Sequence, residues 1–500
     1  MTIQSIGLLT TLVTAGLFAL LGLIHASKQS INLEEYLINR NRLGSWMAFA
    51  TILASAMGVW ILFSTPEVGA TSGIAGIIGY GIGQAAPAAI ISYIGPRIRQ
   101  LMPHGHSLNE YVLFRFGNAM YVLTLVIILF YMFIYLAAEL TGIAKAVQIM
   151  ADVPLGWTAL VVITATFIYT TYGGLGAAVF TDAIQLVVIV PLLVICLGVA
   201  IIALNGFDAA LQPIQLNTPE LLSLGNVPGI KFGGTLIIAI IAAEMFNQTN
   251  WQRIYACRNN KTVTRAFLGA AIGTLPMLFV AGFLGLLASQ FGFTDDRAFF
   301  SLIERLSPPV WFLLVVLVLA LALVMSTMSS LLNGIASLFT IDLIRLMPHL
   351  QTSGLLRASR LITVAIGVPA ILIAAQGFNV LYLFLLADLV CAGAVVPVLY
   401  GLYSRRLTGM TAFWSATIGI AAGVLFFPTP DFTAWTNLPF AGDLLVSFIV
   451  PVIVSTIVII VWNAFAATTG RTQLFDFNRL QTEIQPYRDQ SDESIAEALD

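Results

Sequence analysis

The chain has 500 residues, 59% of them hydrophobic and 9% charged, with a mean hydropathy of +0.94 and a formal net charge of −2. That composition excludes a soluble globule or a peripheral protein and implies an integral membrane protein. The basic residues are spread over many loops and form no patch, so no nucleic-acid partner is implied.

Taken in chain order, thirteen apolar stretches are long enough to cross a bilayer: 5–25, 47–67, 74–95, 119–150, 155–172, 178–204, 230–252, 263–288, 310–344, 357–376, 379–402, 411–428 and 442–466. These runs are continuously apolar, where a β-barrel would alternate every second residue, so an all-α bundle is expected. The first span ends in His25-Ala26-Ser27, but no Lys or Arg precedes Lys28, so it reads as a retained span and not a cleaved signal. Stretch 74–95 carries a small-residue stripe for close helix contact. After Phe465 the sequence turns acidic, and 467–500 reads as a flexible tail too short for a catalytic domain. Cys196, Cys257 and Cys391 show no CxxC or Cys/His spacing, which argues against disulfides and structural zinc. His104 and His106 read as ordinary loop residues.

Charge orders the spans. Eighteen of the 22 Lys and Arg fall in the tail or in loops of one face, Arg253 counted among them, and only Arg297 and Arg305 fall on the other. Lys145 and Lys231 lie in or at the ends of spans. The positive-inside rule then puts the basic loops in the cytoplasm, the N-terminus outside and the C-terminus inside.

Two spans are irregular. In 54–73, Gly58 and Pro66 interrupt one crossing, and 242–253 is too polar to face lipid. Each irregularity opens a block of five spans, 47–204 and 230–402. Because five is odd, the second block is inverted relative to the first, the pattern of transporters with a midplane site. The expected organisation is an N-terminal span and loop over 1–46, the two repeats, two additional spans over 403–466, and the tail.

The stretch Tyr169-Thr170-Thr171-Tyr172-Gly173-Gly174-Leu175-Gly176-Ala177-Ala178-Val179-Phe180-Thr181-Asp182-Ala183-Ile184-Gln185 is similar to the signature of the sodium/solute symporter family. Met57-Gly58-Val59-Trp60 with Pro66, Asn247-Gln248 with Gln252-Arg253, and Ser326-Thr327-Met328-Ser329-Ser330 follow the family order. The resemblance implies a LeuT-type fold with a 5+5 inverted-repeat core. It also implies a sodium ion between the carbonyls of Ala54, Met57 and Leu323 and the hydroxyls of Ser326 and Thr327. Asp182 resembles an acidic residue on the cation release path, with a helix N-terminal charge or a salt bridge to a cytoplasmic Arg as its structural alternatives. The chain departs from several relatives in carrying Ala56 where they have Asp.

The bottom-up reading of the hydroxyls agrees, since a dehydrated cation needs hard oxygens, which broken helices and hydroxyls supply. Small hydroxylated residues can also serve only to let helices approach closely. For the solute, the irregular segments offer Glu67, Trp60, Ala243, Glu244, Asn247 and Gln248. Glu139 is expected to pair with Lys145, and Asp388 to bond a neighbouring Ser or backbone group. With no nucleotide-hydrolysing motif, an ion gradient must supply the energy. The expected function is sodium-coupled symport of a small polar solute across the plasma membrane, without enzyme activity. Resemblance around 139, 169–182 and 381–402 implies a solute of the urea/polyamine branch, with proline next; a sensor acting through a partner and a proton symporter are the alternatives, and oligomeric state is left open.

Overall fold

The computed structural model describes residues 3–27, 33–346, 352–468 and 474–484. Among these the chain is helical, with no strand beyond a lone bridge between Leu43 and Cys257. The helices in order are α1 (Ile3–Ala26), α2 (Leu33–Leu37), α3 (Ser45–Ala56), α4 (Ser64–Leu101), α5 (Leu108–Phe116), α6 (Asn118–Ala151), α7 (Leu155–Ala203), α8 (Phe207–Asn217), α9 (Val227–Phe246) and α10 (Gln248–Ala256). They continue with α11 (Asn260–Ser289), α12 (Ala298–Leu306), α13 (Val310–Leu346), α14 (Thr352–Ala374), α15 (Val380–Ala392), α16 (Val395–Tyr400), α17 (Gly409–Phe426), α18 (Leu444–Thr468) and α19 (Asn478–Glu483).

Nine helices among the described residues are long and apolar enough to cross a membrane, and three shorter apolar helices accompany them. This is four fewer than the apolar stretches because two long helices bend without a loop, and stretches 357–376 and 379–402 yield shorter apolar helices, Arg360–Ala374 and Val380–Ala392. Gly73 in α4 has φ 62° and Gly174 in α7 has φ 55°, and each glycine divides its helix at a kink. A side chain is excluded at both. A Cβ on Gly73 would lie 2.1 Å from the Leu221 carbonyl oxygen, and one on Gly174 would lie 2.5 Å from that of Tyr36.

The interruptions seen in the sequence are real breaks. α3 ends at Ala56, Met57 and Gly58 are extended, and a 3-10 turn over Val59–Ile61 leads into α4. Pro66 then sits in the first turn of α4, where a missing N–H costs nothing. The second break is a single extended residue, Asn247, between α9 and α10, and its side chain accepts from the Thr249 amide to cap α10. Both breaks lie against α13, whose stretch Leu319–Leu323 is fully buried. The outer helices instead present Val187, Leu361, Ile460 and similar residues to the surroundings, as lipid-facing helices do.

Three expectations change. Residues 474–484 are docked: Leu480 and Ile484 are buried, the Phe475 amide donates to the Arg405 carbonyl at 2.8 Å, and the Arg115 guanidinium lies 4.3 Å from the Phe475 ring centroid. The apolar Phe475, Phe477, Leu480 and Ile484 within the acidic tail supply that contact; 469–473 and 485–500 lie outside the described residues. His106 is fully buried and bonds the carboxylates of Glu34 (2.9 Å) and Glu110 (3.1 Å). Arg253, counted with the loop cations, is also fully buried.

Candidate transport site

The break after α3 leaves backbone carbonyls without helical partners, and α13 offers hydroxyls to them. The Thr327 Oγ1 lies 3.3 Å from the Ser55 carbonyl oxygen and 3.2 Å from that of Met57. The Met57 amide turns back to the Ala54 carbonyl at 3.1 Å. Leu323 lies one turn before Thr327 on α13, and Ala54, Met57, Leu323 and Ser326 are all fully buried. Of the expected sodium shell, Met57 and Thr327 are brought together directly, with Ser55 added. Ser326 faces elsewhere, donating to Asp182 Oδ1 at 2.6 Å.

Asp182 is the hub of a second group. Its Oδ2 accepts from the Thr51 hydroxyl at 2.5 Å and from Arg253 at 3.0 Å. Arg253 also donates to Thr51 Oγ1 (2.9 Å), Ser330 Oγ (2.7 Å) and the Thr249 carbonyl (3.1 Å). Asp182 and Arg253 are completely buried, so the salt-bridge reading of Asp182 holds geometrically, and through Ser326 it also touches the candidate cation shell. Desolvated charges of this kind are tolerated when every lone pair and N–H is used. The cluster ties α3, α7, α10 and α13 together. Thr51 and Ser330 were missed as partners, since nothing local in sequence joins them. Tyr169, in the signature stretch, donates its hydroxyl to the Met325 carbonyl at 3.0 Å and braces the same turn of α13.

Between the two breaks lies a cavity of about 30 Å³. Its wall is aromatic: Trp60, Tyr80, Tyr131, Tyr135 and Phe384 line it, with Gln84, Ile240 and Ala243. Trp60 and Tyr80 pack at 5.5 Å, and Tyr135 meets Phe384 edge to face at 5.1 Å. Two carboxyls, Glu244 and Asp388, complete the lining, and no Lys or Arg does. Glu244 accepts from the Tyr131 hydroxyl (3.0 Å), Asn247 (3.1 Å) and Asn250 (2.8 Å). Asp388 has no hydrogen-bond donor among the described residues.

Thus Trp60, Ala243 and Glu244 of the expected solute residues line this cavity, while Glu67, Asn247 and Gln248 do not. Glu67 has moved a turn beyond the break and accepts from Asn379 at 3.2 Å. Asn247 caps α10 and holds Glu244. Gln248 donates to the His106 carbonyl at 2.9 Å. Asp388, expected to satisfy itself on a Ser or the backbone, lines the cavity instead. The Glu139–Lys145 pair is also overturned: Lys145 bonds Asp296, and Glu139 accepts from the Val59 amide at 2.8 Å. The tyrosines were missed, although Tyr131 and Tyr135 at i, i+4 put two hydroxyls on one face of α6.

Two helices broken around a shared polar cavity, with a third helix offering hydroxyls to freed carbonyls, define a membrane transporter. Residues 36–419 match the sodium:solute symporter family, and the chain belongs to it. It is 28% identical to the spermidine transporter DUR31 of Candida albicans over 425 residues, covering 82% of this chain and 77% of that protein. It is 24% identical to the sodium/proline symporter of Escherichia coli, covering 72% of this chain and 75% of that one. Its fold is similar to that of a Na+-coupled sialic acid symporter in a substrate-bound outward-open state, with a TM-score of 0.73 at 18% identity over 91% of this chain and 98% of that one. The nucleobase-cation-symport-1 family transporter Mhp1 in a closed conformation gives a TM-score of 0.58 at 14% identity, covering 90% of this chain and 99% of that one. The fold is therefore LeuT-type, and the chain is a sodium-coupled solute symporter, not an enzyme.

Proposed function

We propose that the solute is an organic amine carried as a cation, with a polyamine such as spermidine as the leading candidate. The observation that carries this reading is the pairing of Glu244 and Asp388 in an aromatic-walled cavity that no Lys or Arg lines. An ammonium group over Trp or Tyr faces gains about 0.5–2 kcal/mol per ring when desolvated, and a carboxylate adds a charge-assisted hydrogen bond. A carboxylate solute gains nothing there and is repelled. Resemblance to a spermidine transporter supports the same class.

Sodium is held by the carbonyls of Ala54, Met57 and Leu323 and the Thr327 hydroxyl, joined by the Ser326 hydroxyl once it turns from Asp182, and Asp182 serves its release. The repeats 47–204 and 230–402 rock around this site. The cavity, at about 30 Å³, has room for roughly one water molecule, so it widens to one side to admit solute. The basic loops lie in the cytoplasm, and the membrane is the plasma membrane. A membrane potential of 100 mV, negative inside, supplies ~2.3 kcal/mol per charge, and both sodium and a cationic solute collect it. Competition for sodium-driven uptake by proteoliposomes tests the reading. Spermidine and putrescine should compete, and proline, urea and monocarboxylates should not; competition by proline alone would reassign the site.

A further inference from the structure

Glu139 does not belong to the sodium shell or to the solute cavity. It lies in the middle of α6, has no solvent exposure, and reaches the first break. Its Oε2 accepts from the Val59 amide at 2.8 Å, while its Oε1 has no partner. The carboxyl lies flat against Gly58: a Cβ there would sit 1.9 Å from Oε1 and 3.0 Å from Oε2. The contact therefore exists only because residue 58 is glycine and the backbone is extended at that point.

No counter-ion pairs with it among the described residues. The buried Arg253 is committed to Asp182, and Lys145 is committed to Asp296. Among the described residues Glu139 forms no ion pair, and the break presents the Val59 amide to it. Asp182 and Glu244, by contrast, each receive three donor groups. A carboxylate with one donor and no cation in a dry interior is far more costly than a carboxylic acid, which makes smaller demands on its surroundings.

We propose that Glu139 is a proton-binding site built on the first helix break. The carboxyl holds a proton while the break is packed against it, and releases that proton to water when the break moves away. One proton binds and one leaves per cycle of the hinge, with no other bond made or broken. This goes beyond the solute reading and rests only on the broken helix being a moving part of the symporter.

The test is infrared spectroscopy of the full chain reconstituted in lipid at neutral pH, reading the carbonyl stretch of a buried carboxylic acid. The band should carry a component that is lost in Glu139→Gln and retained in Glu67→Gln and Asp388→Asn, whose own sparsely bonded carboxyls add separate components. The pH dependence of sodium-driven uptake should flatten in Glu139→Gln. An unchanged band in Glu139→Gln overturns the proposal, as does loss of that component with an unaltered pH profile, since the proton would then be resident and not exchanged. Should Glu139→Gln fail to fold, disappearance of the whole band in Glu67→Gln/Asp388→Asn overturns it equally. Because the infrared reading needs no solute, it stands or falls separately from the amine assignment.

Discussion

Arg253 and Asp182 form an ion pair, 3.0 Å apart, in which neither side chain has any solvent exposure. Arg253 rides on α10, the short arm of the second broken helix, and Asp182 on α7, so the pair fastens a candidate moving element to its neighbour. Replacing Arg253 with Met leaves a buried carboxylate uncompensated, which costs about 3–5 kcal/mol. The expected outcome is a large drop in the melting temperature of purified Arg253→Met, partly recovered in Arg253→Met/Asp182→Asn. Equal stability of the single variant and wild type would show that the pair is dispensable.

Thr327 touches the freed carbonyls of Ser55 and Met57, whereas Ser326 touches Asp182. Both Thr327→Ala and Ser326→Ala should raise the sodium concentration for half-maximal uptake several-fold, at unchanged protein level. Thr327→Ser, which keeps the hydroxyl, should restore most of the affinity. Sodium dependence that is unaltered in both alanine variants would remove these residues from the shell.

Glu67 accepts from Asn379, the capping residue of α15, and Asp296 beside it holds Lys145 and the Val380 amide. These contacts join α4, α6 and α15 away from the solute cavity. Glu67→Gln and Asn379→Ala should therefore change the rate of uptake by several-fold while leaving the apparent solute affinity within about twofold. A tenfold loss of affinity would return Glu67 to the solute site.

The loop face carries a pH-sensitive contact. Burial alone lowers the titration point of His106, but the Glu110 and Glu34 carboxylates overcome it and raise it above the ordinary 6.5. Burial alone raises Glu34, but His106 and Arg40 bring it down to about 2 from 4.5. A raised histidine stabilises fully below its ordinary value and loses that contribution as pH rises through its folded value. A depressed carboxylate stabilises above its ordinary value and loses that contribution as pH falls towards about 2. The contact is thus strongest between roughly 4.5 and 6.5. Melting curves should show stability falling on the alkaline side in wild type and a flatter alkaline limb in His106→Gln; parallel curves would count against the contact.

Much of this was legible before any coordinates. Gly58, Pro66 and the polar run 242–253 announced both breaks, because a bilayer leaves such residues few other uses. The hydroxyls on α13 were found by spacing and by resemblance to the family. What escaped depends on contacts distant in the chain. Thr51, Asp182, Arg253 and Ser330 converge from four helices, and although Arg253 closes the polar run 242–253, nothing in the sequence joins it to Thr51 or Ser330. Tyr80, Tyr131 and Tyr135 read as generic apolar-helix aromatics until the cavity between the breaks orients them. Gly73 and Gly174 hid two bends inside continuous helices, since one positive-φ residue does the work of a loop.

The most direct test is net charge movement during spermidine uptake by proteoliposomes that hold the purified chain, with sodium varied on the outside. A sodium-coupled amine symporter should give inward positive current that needs both sodium and spermidine. Asp388→Asn should reduce that current at least tenfold at low spermidine while leaving the protein folded. Spermidine uptake that continues without sodium, or is untouched by Asp388→Asn and Glu244→Gln together, would contradict the account.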